Sequence, residues 1–191
     1  MDNYTIRMAK KEDAKSLLEI YAPYVVESSV TFEYDVPSIC EFENRIENTL
    51  SFFPYLVMEK DGEVIGYAYA SWYRVRKAYQ YSCELSIYLK QSCRKKGLGN
   101  ILYDALENVL KKQGFHNLYA CITYPNDESV RFHTKRGFKI NAHFHACGYK
   151  FDTWYDMVWM EKIIKEHTVH PEPLKNINDI NVEEYLDENF D

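Results

Sequence analysis

A basic turn with two glycines lies between a predicted strand and a predicted helix, and it has the composition of an anion-binding site. Before the turn, Leu85, Ile87 and Leu89 alternate with other residues, as in a strand with two different faces. After it, apolar residues recur at helical spacing from Leu98 to a closing Gly114. The first turn of a helix has backbone N–H groups without intrahelical partners, so the pattern predicts a pyrophosphate site there.

The turn also supplies space and charge for phosphate groups. Gly97 and Gly99 remove side chains where a ligand would press on the backbone. Three positive charges lie at the same place, on Arg94, Lys95 and Lys96. The chain lacks the G-x-x-x-x-G-K-[ST] string of a P-loop, and Leu102 stands where a dinucleotide fingerprint needs a small residue. The alternative is an ordinary strand-to-helix turn with solvated basic residues.

Glu84, at the start of the same strand, is the candidate general base. It is the sole acidic residue between Glu63 and Asp104. If its carboxylate points into a cleft, burial raises its pKa toward the range useful for a base at neutral pH. A solvated carboxylate on a strand face is the alternative.

Cations and aromatic residues follow the preceding predicted strand. Arg74 and Arg76 lie beside the aromatic residues Trp72, Tyr73, Tyr79 and Tyr81. We expect this cluster to face the same side of the sheet as Glu84, where arginine would give paired hydrogen bonds to a carboxylate or phosphinate. Solvated loop charges are the alternative.

Composition and charge limit the classes of partner. Residues 165–191 contain eight acids and two bases, whereas residues 1–164 carry 21 charges of each sign and are neutral. A neutral body argues against nucleic acid as a partner. No apolar run approaches the ~18 residues of a membrane span, and the first residues lack the pattern of a signal peptide, so we expect a cytoplasmic protein without a membrane partner.

Metal and disulfide chemistry have little support in the sequence. The five cysteines show no C-x-x-C spacing. His143 and His145 share one face of a predicted strand, but the sequence offers them no partner. We therefore expect reduced cysteines and no metal.

Periodicity predicts an α/β (α+β) fold, in which a mixed sheet carries helices on both faces. Predicted strands begin at Tyr4, Tyr55, Val64, Glu84, Leu118, Lys139 and Trp154, and helices begin near Ala14, Ser38, Gly97 and Asn126. Residues 1–164 form one predicted domain. We expect the acidic, proline-flanked residues 165–191 to be a largely disordered extension that buries little, with a short helix at most near Val182 to Leu186.

Several motifs resemble a known family. R-K-K-G-L-G, with Arg94, Gly97 and Gly99 at fixed positions, resembles the Q/R-x-x-G-x-G/A acyl-CoA motif of the GNAT N-acetyltransferase superfamily. Four further strings resemble its phosphinothricin acetyltransferase branch in order and spacing: W-Y-R-V-R-K-A-Y, C-E-L-S-I-Y-L, P-N-D-E-S-V-R-F-H-x-x-x-G-F and G-Y-K-F-D-T-W-Y-D. The resemblance covers about residues 3 to 163.

The resemblance implies a seven-stranded, mostly antiparallel GNAT sheet, acetyl-CoA as co-substrate, and a homodimer. Glu84 would be the catalytic base, and His133 stands where much of the superfamily has a tyrosine that protonates the departing thiolate. The implied cofactor-binding residues are Ile87, Tyr88, Leu89, Arg94, Lys95, Lys96, Gly97, Leu98, Gly99, Asn126 and Ser129. The implied substrate-binding residues are Trp72, Arg74, Arg76 and Tyr79.

The implied reaction is acetylation of the primary amine of a small amino-acid-like substrate, of the phosphinothricin, methionine sulfoximine or methionine sulfone type. Two alternatives remain at this point. One is acetylation of protein or peptide N-termini, and the other is a non-catalytic acyl-CoA-binding module.

Overall fold

A computed structural model describes residues 3–186 and contains one sheet of seven strands within that range. The strands are β1 (Tyr4–Met8), β2 (Tyr55–Lys60), β3 (Glu63–Trp72), β4 (Ser82–Leu89), β5 (Asn117–Tyr124), β6 (Lys139–Lys150) and β7 (Thr153–Ile163). Their order in the sheet is β1-β2-β3-β4-β5-β7-β6. All neighbours are antiparallel except β4 and β5. The predicted mixed, mostly antiparallel seven-stranded sheet is confirmed.

Helices cover both faces of the sheet. They are α1 (Ala14–Glu27), α2 (Ile39–Leu50), α3 (Leu98–Gln113) and α4 (Asp127–Lys135). Helix α3 packs one face through buried residues such as Leu102 and Leu106, and α1 and α2 pack the other through Leu17 and Ile46. Because side chains alternate along β4, Leu85 joins the α3 core while Tyr88 packs toward α1 and α2.

The parallel pair is short. Strands β4 and β5 are in register at three positions, which end at the pair Glu84 and Tyr119. Beyond this pair, within the part of the chain that the structure describes, β4 has no strand partner on its β5 side. A wedge therefore opens between the second half of β4 and the second half of β5.

Two short sequence patterns, a hairpin turn and a helix cap, form in the structure, the second only in part. The Asp61-Gly62 hairpin forms, with both residues at positive φ (51° and 82°). Ser38 caps α2 by accepting from the Glu41 N–H at 3.1 Å, but the Glu41 carboxylate bonds Arg45 at 2.5 Å instead of returning to the cap. The S-x-x-E spacing of a capping box is present, but only one of its two hydrogen bonds is made. No helix within residues 3–186 is long and apolar enough to cross a membrane.

The expected disorder of the C-terminal extension is wrong for residues 165–186. Ile177, Val182 and Leu186 are buried in the α3-side core. The backbone is also tied down, since Ile177 N–H donates to Phe52 O at 3.2 Å and Lys175 N–H donates to Gln113 O at 2.9 Å. The short helix expected near its end is one 3-10 turn, Glu183–Tyr185. The prediction rested on the acidic composition of the whole extension. Its few apolar residues are buried individually, and their spacing forms no helix or strand pattern in the sequence. Residues 187–191 lie outside the described range.

We predict that Ile177→Ala lowers the free energy of unfolding by about 2 to 4 kcal/mol, because it leaves a cavity in the core. In a chain of this size that corresponds to a fall in Tm of roughly 5 to 15 °C, which calorimetry can measure. Val169→Ala is the control, since Val169 lies in the same extension but is 89% exposed. Equal Tm values for the two variants would contradict the packed arrangement.

Candidate active site

The wedge between β4 and β5 contains two connected cavities. The outer cavity, about 410 Å³, lies between the end of β4, the start of α3 and the start of α4. The inner cavity, about 230 Å³, lies between β4 and β5 beneath the loop that follows α1. Four residues line both: Val30, Ile87, Ser129 and His133. The two cavities therefore adjoin, and together they extend as a cleft from the predicted phosphate-binding turn to Glu84.

The turn before α3 has the backbone form of an anion site. Gly97 is the N-cap of α3 at φ 83°, and Lys95 also has positive φ, at 62°. Arg94, Lys95, Gly97 and Gly99 line the outer cavity. Leu98 instead turns its side chain into the core, and Lys96 is not in the lining. The open N-terminus of α3 therefore faces the outer cavity with two cations beside it.

The cations of the turn are already paired with an acid. Glu128 of α4 lies 3.1 Å from Arg94 and 3.8 Å from Lys95. These pairs are exposed and therefore weak. An anionic ligand at the turn would compete with Glu128 for the same two side chains.

Helix α4 contributes the opposite wall of the outer cavity. Asn126 caps this helix by accepting from the Ser129 N–H at 3.1 Å, and both residues line the cavity. Arg131 and Lys135 line it as well and were missed. Their i, i+4 spacing on a predicted helix was the signal that could have identified them as one basic face.

Glu84 lies where the two strands separate and lines the inner cavity. Its carboxylate has no hydrogen-bond partner within residues 3–186. Burial raises the pKa of Glu84 above its ordinary value, and the nearby positive charge of Arg74 lowers it by less. A half-buried carboxylate with free lone pairs can accept a proton from a group in the cleft.

His133 lines both cavities but already uses both ring nitrogens. Nδ1 lies 2.8 Å from Ser129 O, and Nε2 lies 3.0 Å from the Tyr103 hydroxyl. Because a carbonyl only accepts, Nδ1 carries the proton and Nε2 accepts from Tyr103. Burial lowers the pKa of His133 to about 4, so the ring is neutral at pH 7. Tyr103 was missed because its place in the apolar pattern of α3 matched an ordinary core residue.

The predicted substrate cluster is only partly assembled. Arg74 lies over the rings of Tyr73 and Trp159, at 4.5 and 5.0 Å from their centroids. Tyr73 stacks at 4.3 Å on Tyr119, the residue that pairs with Glu84 across β4 and β5. Tyr79 joins the edge of this cluster, 5.8 Å from Tyr73. Arg74 and these aromatic rings therefore lie beside Glu84, outside the lining of the inner cavity.

Two predicted substrate residues are not brought to the cleft. Trp72 pairs with Cys83, one position out of step with Glu84, and therefore lies on the α3 face. Its ring packs on Phe52 and Phe53, at 4.8 and 4.7 Å. The Arg76 side chain is exposed and makes no hydrogen bond or ion pair in the part of the chain described.

The loop after α1 covers the inner cavity and is held by a buried lysine. Lys150 Nζ donates to the carbonyl oxygens of Val25, Ser28 and Thr31 at 2.7, 2.9 and 2.8 Å. The Phe32 ring packs directly on Gly148, where a Cβ would lie 2.3 Å from it. Sequence reasoning missed this clamp because it joins residues more than a hundred positions apart.

Comparisons with known proteins agree with this architecture. The model of the Acetyltransferase (GNAT) domain family matches residues 6–159. A phosphinothricin N-acetyltransferase of Streptomyces viridochromogenes is 31% identical over 175 residues, which cover 92% of this chain and 95% of that protein. An L-methionine sulfoximine/L-methionine sulfone acetyltransferase of Salmonella typhimurium is 31% identical, covering 85% of this chain and 96% of that protein.

A solved structure shows the same fold. The GNAT superfamily phosphinothricin acetyltransferase of Sinorhizobium meliloti in complex with AcCoA superposes with a TM-score of 0.83 at 32% identity, covering 91% of this chain and 98% of that one. Together with the motifs and the cleft, these matches show that the chain belongs to the GNAT acetyltransferase family, in the branch of phosphinothricin and methionine sulfoximine acetyltransferases.

Proposed function

We propose that the protein transfers an acetyl group from acetyl-CoA to the primary amine of a small amino-acid-like substrate, of the phosphinothricin, methionine sulfoximine or methionine sulfone type. The observation that carries the proposal is the position of Glu84. Its unpaired, half-buried carboxylate lies at the inner end of a cleft whose outer end is an open helix N-terminus with two cations. Such a cleft fits an acyl thioester on one side and an amine on the other.

The outer cavity is the proposed site of acetyl-CoA. The first turn of α3 would hold the pyrophosphate, with Arg94, Lys95 and Gly97 around it. Arg131 and Lys135 add positive charge on the facing wall. Asn126 and Ser129 would border the pantetheine arm. When bound, acetyl-CoA supplies a thioester carbonyl that an amine can attack.

The unpaired edge of β4 is the proposed oxyanion-binding element. The backbone N–H groups of Ile87 and Leu89 face the open side of the half of β4 that has separated from β5, whereas the N–H of Tyr88 faces its partner Tyr67 on β3. Donors fixed in a strand stabilise a developing negative charge without reorganising, which is the usual source of such catalysis. Leu89 O is itself bonded by the Tyr24 hydroxyl at 2.6 Å, which fixes this stretch of backbone.

Glu84 is the proposed general base for direct attack by the amine, acting on the ammonium proton itself or through one water molecule.

His133 is proposed to act with Tyr103. Since the neutral imidazole accepts from the Tyr103 hydroxyl, it holds that hydroxyl at the junction of the two cavities. The departing thiolate is proposed to take up the proton that the attacking amine releases, and the pair borders the route of that proton. A cytoplasmic location, as expected from the sequence, is part of the proposal.

We predict that Glu84→Gln lowers kcat by about 100-fold or more, the usual scale for a positioned general base, and leaves acetyl-CoA affinity nearly unchanged. The wild-type rate should rise with pH through the raised pKa of Glu84, because only the carboxylate accepts a proton. This acid limb should be absent in the variant. Thiol release followed from pH 5 to 9 is the measurement. Glu19→Gln, an exposed change on α1, is the control. Near wild-type turnover of Glu84→Gln at neutral pH would rule out the assignment.

We predict that Gly99→Asp weakens acetyl-CoA binding by about 100-fold or more, equivalent to roughly 3 kcal/mol, as measured by calorimetry. The substitution places an anion where the phosphates must lie. The fold should survive, because an acid in the first turn favours a helix and a Cβ at Gly99 meets its neighbours at ordinary contact distances of 3.5 to 3.6 Å. Gly99→Ala is the matched control and should bind far more tightly than Gly99→Asp. Equal affinities would remove the phosphate-turn interpretation.

Substrate choice is tested with acetyl-CoA and a panel of amines. We predict a preference for amino acids that carry a second anionic or strongly polar group. Arg74→Ala should raise KM for the amine, because Arg74 lies beside Glu84, whereas Arg76→Ala should leave it nearly unchanged, because the Arg76 side chain lies outside the cleft. Arg131→Ala, in the outer cavity, should instead raise KM for acetyl-CoA. A preference for polyamines or peptide N-termini, or an unchanged amine KM in Arg74→Ala, would overturn the substrate assignment and leave the acetyltransferase proposal standing.

A homodimer is the proposed assembly. Strand β6 ends the sheet with an unpaired edge in the described structure, and aromatic residues are exposed around its far end, at Phe144, Tyr149, Phe151 and Trp154. Exposed apolar patches of this kind mark interfaces. We predict a dimer by sedimentation at micromolar concentration and a shift toward monomer in Trp154→Asp but not in Val169→Asp. A monomeric wild type would contradict the assembly.

A further inference from the structure

A second cluster of chemically versatile side chains lies on β6 and β7, outside the linings of both cavities. His143 Nε2 is 2.7 Å from Asp156 Oδ2, and His145 Nδ1 is 3.1 Å from the same oxygen. The three potential ligand atoms all lie within 4.8 Å of one another. No partner for the two histidines is evident in the sequence, and the fold supplies Asp156 from the neighbouring strand.

An irregular stretch of β6 builds this cluster. Phe144 pairs with Met157 and Gly148 pairs with Tyr155, so residues 145–147 stand opposite Asp156 alone. Ala146, within this bulge, has a positive φ of 45°, which is unfavourable for a residue with a Cβ. Its N–H donates to Asp156 Oδ1 at 2.8 Å. One carboxylate oxygen is thereby fixed by the backbone, and the other is directed at the two imidazoles.

The donor set is one that transition metals prefer. Two imidazole nitrogens and one carboxylate oxygen are common ligands of Zn²⁺, and they leave a fourth tetrahedral position for water. Bonds of about 2.0 to 2.2 Å in a tetrahedron place ligand atoms roughly 3.3 Å apart. The observed separations of 2.7 and 3.1 Å from Oδ2 are therefore about 0.6 and 0.2 Å shorter than this. An ion would take the place of the two protons that now link the pairs.

The cluster is accessible to solvent, and its less exposed histidine packs against two other rings. The side chains of His143, His145 and Asp156 are 35%, 78% and 30% exposed, so an ion can enter from solvent. The His143 ring packs against Tyr124 at 5.1 Å and against the His145 ring at 4.2 Å. These contacts hold the less exposed histidine in place before an ion arrives, which reduces the entropy lost on binding.

We propose that His143, His145 and Asp156 form a binding site for a divalent transition-metal ion, with Zn²⁺ as the best match, separate from the residues of acetyl transfer. The ion binds each imidazole through the nitrogen that now faces Asp156, and the ring proton moves to the other nitrogen.

The test is a calorimetric titration of the full chain, free of any affinity tag and stripped with a chelator, with Zn²⁺ alone at neutral pH. One ion per chain is expected. His143→Ala and His145→Ala should each weaken binding by at least about 10-fold, and the double variant should abolish it. His170→Ala is the matched control, an exposed histidine elsewhere. Cys147→Ser should leave binding unchanged, although this exposed thiol lies in the bulge.

Two further measurements distinguish a built site from incidental binding. Co²⁺ bound at the site should give visible absorption bands that the double variant lacks. Zn²⁺ should raise the Tm of the wild type but not of the double variant, because an ion that binds only the folded state stabilises it. Absence of stoichiometric binding, equal binding by wild type and double variant, or loss of binding in Cys147→Ser alone would each overturn the proposal. Since none of these readouts is activity, failure of the proposed acetyl transfer would leave this result unaffected.

Discussion

The separation of β4 from β5 is the constraint on which the rest of the molecule depends. The two strands are parallel but share only three register positions. Because parallel strands end at the same edge of a sheet, the helices that follow them, α3 and α4, begin on either side of one gap. The turn before α3 and the Asn126 cap therefore face each other across the outer cavity. The unpaired backbone of β4 is left available to a ligand where a continuous sheet would have used it.

The same separation sets the electrostatics of the inner cavity. Glu84 occupies the last paired position, so the sheet shields it on one side while the gap leaves it open on the other. Burial raises its pKa, and Arg74 limits the rise. The neighbouring His133 is kept neutral by its own burial, and both its nitrogens are bonded. The cleft therefore combines a carboxylate whose pKa is raised, Glu84, with the neutral hydrogen-bonded pair of His133 and Tyr103. Such a combination suits proton transfer near pH 7.

Local features of the chain were predictable, and long-range ones were not. The strands, the helices and the turn around Gly97 follow from periodicity and from glycine chemistry, which act over a few residues. The face occupied by Trp72 depends on its register against β4, and a shift of one residue reverses it. The burial of Ile177 depends on elements that are distant in the chain, such as the segment around Phe52. The net charge of the extension describes all of its residues together and therefore could not predict the burial of one of them. The partner of His143 and His145 appears only once a bulge aligns them with Asp156.

The two cavities are built from different parts of the chain. The outer cavity is lined mainly by one continuous stretch, residues 87–135. Its pattern can therefore be recognised from the sequence alone. The inner cavity is closed by the loop after α1, which Lys150 and Gly148 hold from the other end of the chain. Changes in that loop or in the β6–β7 hairpin can reshape the inner cavity without touching the turn before α3. Two chains with the same turn can therefore differ in the shape of the inner cavity, and the contacts around Phe32 and Lys150 are where such differences should arise.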